Sequence, residues 1–168
     1  MRLNRVPARR EMDGDVLLVG VETQAVWLWG VRDGGDNPPV WERENEPGAE
    51  WTETGERLDE FLWHLTLVDA VFGGRFGLGA NDVSPVDLAR FTRAWTPLDV
   101  KRWRWPGPNQ SLWTWDGMLA WTMVNDRPDS PVTEASTYSI LVGARSNQDL
   151  AHVGSANITW DWDSRNEQ

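Results

Sequence analysis

Cysteine is absent from the 168 residues, tyrosine occurs once, histidine twice, and Lys101 is the only lysine. Without cysteine there is no disulfide framework, no thiolate metal cage and no cysteine nucleophile. His64 and His152 lie far apart with no paired spacing, so they form no recognisable zinc set. Schiff-base chemistry would have to rest on Lys101, flanked by arginines. Long apolar runs are missing as well. No stretch approaches the roughly 18 residues of a membrane span, and the arginine-containing start precedes no apolar core of signal-peptide length. The expectation is a soluble, cytoplasmic protein with no membrane contact.

Other catalytic patterns are equally thin. No G-x-S-x-G elbow occurs. Gly74, Gly77 and Gly79 follow a helix instead of a strand and lack a P-loop lysine, so they read as a loop. Asp33, Asp36 and Asn37 break the calcium-loop spacing and read as a turn. An enzyme built on two paired acids remains only a third reading.

Acid and tryptophan are what the chain has in excess: 26 acidic against 16 basic residues, a net charge of −10, and 13 tryptophans. Such a surface repels phosphate backbones, which argues against direct nucleic-acid binding. From Trp41 to Glu60 the acids Glu42, Glu44, Glu46, Glu50, Glu53, Glu56, Asp59 and Glu60 face only Arg43 and Arg57. That run reads either as a solvated loop leading into a helix or as a face for a basic partner.

The elements follow from periodicity. Asp15 to Glu22 and Ala25 to Val31 read as an antiparallel hairpin, Arg32 to Pro39 as a turn, and Val40 to Arg43 as a short strand. Leu58, Phe61, Leu62, Leu65, Val68 and Phe72 recur at helical spacing from Arg57 to Phe72, and Gly73 with Gly74 ends that helix through a left-handed cap. Trp63, Leu67 and Ala70 form a second apolar patch on it. Phe76 to Val83 reads as a loop, and Ser84-Pro85 opens a helix running to about Trp95. Period two then places Trp103 and Trp105 on one face of a strand from Leu98. Asp116-Gly117 marks a hairpin between Leu112 and Val124, with both faces apolar. Tyr138 to Ala144 and Asn157 to Trp162 read as strands, with a short helix capped by Ser146 between them. The fold class expected is α+β: one domain over residues 1–168, with a bent, mainly antiparallel sheet, a few packed helices, an irregular arm over residues 1–14 and a tail over 163–168.

Four times the chain writes W-x-W, at Trp27/Trp29, Trp103/Trp105, Trp113/Trp115 and Trp160/Trp162. Each pair is expected on one strand face, either as core or as an exposed platform for a carbohydrate or peptide.

The runs V-E-T-Q-A-V-W-L-W-G-V (Val21 to Val31), P-P-V-W (Pro38 to Trp41) and L-D-E-F-L (Leu58 to Leu62), with W-R-W-P-G and V-G-A-R later, resemble the SUKH superfamily. That superfamily includes fungal cell-wall assembly regulators and bacterial proteins of toxin neighbourhoods. The resemblance implies a bent-sheet α+β fold, no cofactor and no catalysis. The implied role is that of an immunity-type module that binds and blocks a basic toxin. By position, Glu22, Gln24 and Trp29 match the E-x-Q…W-G pattern with a structural role, alongside Trp41 and Phe61. The family's N-terminal helices have no counterpart before Asp15, which would leave Trp63 and Leu67 without their cover. The partner-binding residues expected are therefore Glu42, Glu44, Glu46, Glu50, Trp63 and Leu67.

Overall fold

The computed structural model describes residues 4–5 (backbone only), 11–101, 103–105, 109–126, 131–153 and 158–163. Twelve strands and three helices occur among them. The first sheet holds β1 (Asn4–Arg5), β2 (Met12–Asp13), β3 (Val16–Glu22), β4 (Trp27–Val31), β5 (Pro39–Glu44) and β6 (Thr52–Arg57). Its order is β1-β3-β4-β5-β6, with β2 also on β3. Helix α1 (Leu58–Phe72) follows, and then β7 (Phe76–Val83), α2 (Pro85–Thr92), β8 (Thr96–Pro97), β9 (Gln110–Trp115), β10 (Met118–Val124), β11 (Tyr138–Ala144), α3 (Asn147–Val153) and β12 (Trp162–Asp163). The second sheet runs β12-β7-β11-β10-β9-β8, and every pairing in both sheets is antiparallel. The chain is thus α+β as expected, its antiparallel strands forming two sheets that pack with three helices.

Alternation fixes what faces inward. Trp27, Trp29 and Val31 of β4 sit opposite Glu44, Glu42 and Val40 of β5, so this face enters the core while Trp41 and Arg43 face out. Trp29 is completely buried, its ring centre 5.2 Å from that of Trp103 and 5.8 Å from that of Phe61. Helix α1 closes this core and also lies on β10 and β11 of the second sheet. On the other face of that sheet Leu78, Met118, Ile140, Val142, Leu150 and Phe91 form a second cluster under α2 and α3.

Helix α1 is rotated relative to the expected stripe. It buries Phe61, His64, Leu65, Leu67, Val68 and Val71, while Leu62 is exposed. Two neighbours, one sheet on either side, explain why it is apolar over so wide an arc. Its end differs too: Gly73 is right-handed, with φ −93°, and donates its N–H to the Asp69 carbonyl. Close approach is what the glycines here permit. A Cβ on Gly143 would lie 2.8 Å from the Ala70 oxygen and 2.9 Å from Val71 Cα, so β11 can press on the helix only without one.

Phe76 to Val83, expected as a loop, is an inner strand. Its glycines lower strand propensity, but a Cβ at Gly77 would come within 2.8 Å of the Trp162 ring, which lies against this strand. Conversely, the strand expected from Leu98 shrinks to Thr96–Pro97; beyond it only the Leu98 N–H continues the ladder, donating to the Leu112 carbonyl at 2.9 Å. Strand β6 was not expected at all. The hairpin at Asp116-Gly117 is present, Asp116 and Gly117 both having positive φ, and Ser84 and Ser146 accept the cap bonds assigned to them. Within the expected N-terminal arm, β1 and β2 pair with β3; residues 1–3 and 6–10 of that arm, Arg102, Pro106, Pro108, Asn157 and residues 164–168 lie outside the described residues. No described helix is long and apolar enough to cross a membrane.

Candidate functional site

The acidic stretch divides into acids that face solvent and acids that hold the core. Glu44, Glu46, Glu50 and Glu53 are exposed around the tip of the β5–β6 hairpin. Glu42, two residues from Glu44, is 1% exposed and cannot meet a partner. Alternation along β5 puts it on the face of Val40, where its carboxylate accepts from Trp27 Nε1 at 3.2 Å and from the Arg104 backbone N–H at 3.1 Å. Burial pushes its carboxyl above the usual carboxylate range, against the opposing pull of these donors and of the Arg104 charge. Leu67, the other expected contact residue that fails, is 6% exposed and belongs to the core under α1. Trp63 is 60% exposed and does face solvent.

Beside the acidic tip lies an open hollow of about 640 Å³ lined by Asp13, Asp15, Arg43, Glu46 and Trp51, among others. Arg43 is committed within it: Nε and Nη2 donate to Asp13 at 2.9 and 2.8 Å, and its guanidinium lies 5.2 Å from the Trp51 ring centre. Trp51 Nε1 donates to the same Asp13 oxygen. The cation of this hollow is therefore already paired, and Glu46 in the lining, with exposed Glu44 and Glu50 nearby in sequence, sets the sign of what solvent meets.

A second polar centre is wholly internal. The Glu56 carboxylate accepts from Trp103 Nε1 at 2.6 Å and contacts His64 Nδ1 at 2.9 Å, both side chains of the Glu56–His64 pair being 2% exposed. A carboxylate there makes Nδ1 the protonated ring nitrogen. The ring stacks on Trp103, with centres 3.9 Å apart. His64 also lines a hollow of about 260 Å³ with Leu98, Lys101, Gln110 and Ser111. A histidine held by a carboxylate is half of a hydrolytic triad, but Ser111 does not complete it. Ser111 pairs with Thr122, and strand alternation sets its side chain with Trp113, opposite Leu112 and α1. No group of three or more His, Asp or Glu able to hold a metal occurs among the described residues.

The residues matched to the E-x-Q…W-G pattern lie at the β3–β4 turn and behind it. Buried Glu22 accepts from the Gln24 and Val26 backbone N–H groups at 2.8 and 3.5 Å, Gln24 is exposed, and Ala25 takes φ 58°. Trp29 and Phe61 are core, and Trp41 lies under Arg32, 4.2 Å from its guanidinium carbon. Of the four W-x-W pairs none shows both rings to solvent: Trp162 is exposed, its partner Trp160 half-buried, and the other three pairs are buried or half-buried. A flat double-indole platform is therefore not present.

Glu42 and Glu56 were misplaced on the surface by sequence reasoning, and the burial of His64 was not anticipated. Alternation from Val40 would have turned Glu42 inward, and His64 falls at helical spacing from Phe61 and Val68. Glu56 carried no such signal, because its inward turn depends on Gly55 at φ 81° and on a register shift between β5 and β6. No protein-family model matches the chain, and no curated protein or solved structure matches it either.

Proposed function

We propose that the chain is a non-enzymatic intracellular binding module of the immunity type, which occupies a basic protein, such as a toxin domain, with an acidic surface. The observation that carries this reading is the β5–β6 tip. There Glu44, Glu46 and Glu50 stand exposed beside a hollow whose one arginine is already neutralised by Asp13. Acids grouped at a hairpin tip with no ion pair among the described residues raise the local concentration of a cationic partner and speed its docking. The sequence resemblance to the SUKH superfamily supports the same reading.

The test has two steps. Cross-linking in the native cell followed by mass spectrometry identifies the bound protein, and association rates are then measured across salt concentrations for the chain and for its Glu44→Lys/Glu46→Lys/Glu50→Lys variant. Reversal of three charges is expected to lower the low-salt association rate on the order of tenfold or more and to flatten its salt dependence. Unchanged rates would remove the acidic face as the docking surface.

A further inference from the structure

Twice the chain builds the same unit: an arginine over an indole with a carboxylate on its guanidinium. Arg43 lies over Trp51 with Asp13 2.8 Å from its Nη2. Arg32 lies over Trp41 with Asp15 at 3.3 Å. Arg104 makes a third arginine–indole contact, 5.4 Å from the Trp27 ring centre, but its guanidinium donates to Thr52 Oγ1 at 3.1 Å and only its backbone N–H reaches Glu42. The chemistry is general: the face of an indole carries negative potential, the guanidinium is flat and weakly hydrated, and a carboxylate fixes its edge.

Trp63 has the indole and the acids without the arginine. It is the most exposed large aromatic among the described residues, at 60%, and it shares a hollow of about 200 Å³ with Glu60, Asp99, Lys101, Val100 and the buried Glu56. Side chains on a helix lean toward its N-terminus, so the ring covers the turn that carries Asp59 and Glu60. No arginine among the described residues lies over it. Lys101 is the basic group lining the hollow, against the exposed acids Glu60 and Asp99. Val100, half-buried in the same lining, offers apolar surface for an aliphatic stem.

We propose that this hollow receives an arginine side chain of a partner protein, its guanidinium on the free face of Trp63 and its edge toward Glu60 and Asp99. The proposal rests on the protein-binding reading above and names the side chain that anchors the partner, away from the β5–β6 tip. Tryptophan and arginine side chains that lose their water on docking are among the residues that carry most of the energy of an interface.

A capped Arg-Gly-Arg peptide and its Lys-Gly-Lys counterpart are the probes. The readout is the Trp63 indole N–H signal in ¹⁵N-labelled protein, assigned by its loss in Trp63→Phe. A saturable shift is expected, with the arginine peptide roughly three- to tenfold tighter than the lysine one. Glu60→Gln with Asp99→Asn should weaken it; Gln at 60 keeps an oxygen for the Arg57 N–H that Glu60 accepts at 2.9 Å, so the helix start survives. No shift at Trp63, equal affinity for both peptides, or unchanged binding by the double variant would overturn the proposal. So would concentration-dependent self-association abolished by Trp63→Ala, which would make a second copy the occupant. If the peptide result fails while the Glu44/Glu46/Glu50 variant still slows the native partner, this anchor alone is wrong; if both fail, the acidic binding reading goes with it.

Discussion

The two sheets satisfy their tryptophans in different ways. In the first, indole N–H groups donate to carboxylates: Trp27 to Glu42, Trp51 to Asp13, and Trp103, packed against this sheet, to Glu56. In the second they donate to neutral oxygens, Trp113 to Thr122 and Trp121 to Gln110. The buried carboxylates among the described residues, Glu22, Glu42 and Glu56, all lie in the first sheet. A neutral acceptor satisfies an indole at lower desolvation cost, so the acids need another reason. Each takes two donors. Glu42 and Glu56 together hold Trp103 and Arg104, part of a segment with no strand ladder of its own, against the first sheet. Charge-assisted bonds there replace the backbone ladder that period two had led one to expect. Part of the chain's acidic excess is therefore internal framework.

Removing one such acid should be the most damaging change. Glu56→Ala leaves the Trp103 N–H and His64 buried without their acceptor and is expected to cost about 3–5 kcal/mol in urea unfolding, about 1–3 for each group left unsatisfied plus the cavity of the lost side chain. Gln110→Ala is the matched change in the second sheet, removing the acceptor of Trp121 and the donor to the Trp103 and Trp105 carbonyls. As a neutral group its loss should cost about 1–3 kcal/mol. Equal losses at the two positions would erase the distinction between charged and neutral anchoring.

A finer probe is pH. Burial holds the Glu42 pKa above its ordinary 4.5, so the folded protein keeps a proton that the unfolded chain has released. Its contribution is complete below about pH 4.5 and is lost as pH rises through the folded pKa. Wild-type stability measured against Glu42→Gln should therefore fall over that window and flatten above it. Exposed Asp59 has the opposite sign: its bond from the Asn37 amide holds its pKa below 3.8, and its contribution is lost as pH falls. A Glu42 difference that rose with pH would mean its donors outweigh burial.

Much of this frame was legible. The β3–β4 and β9–β10 hairpins, the α1 span and the Ser84 cap follow from alternation, Asp-Gly and helical spacing, all local signals. What was hidden depends on contacts distant in sequence. Phe76 to Val83 looks like a loop until Trp162, some eighty residues on, is known to need the space of Gly77. Trp103 and Trp105 look like a strand because side-chain anchoring by Glu42, Glu56 and Gln110 leaves no trace in a periodic pattern. The candidate surface was half legible for the same reason. Glu44, Glu46 and Glu50 are outside as composition suggested and Trp63 as the family resemblance implied, whereas Glu42 turns inward by strand alternation and Leu67 is covered by neighbours distant in sequence.

The smallest expected effect is also the one that separates framework acids from surface acids. Glu44, Glu46 and Glu50 are exposed and take part in no ion pair among the described residues. Glu44→Gln, Glu46→Gln and Glu50→Gln, singly or together, should thus move the unfolding free energy by no more than roughly 0.5 kcal/mol each, with the sign set only by relief of mutual repulsion. That relief should vanish at high salt, because charges in open water are screened beyond about 8 Å at physiological ionic strength. A loss approaching that of Glu56→Ala would place these side chains among the clamps. The acidic tip would then owe its residues to folding, and the difference between the two groups of acids, on which the binding surface depends, would disappear.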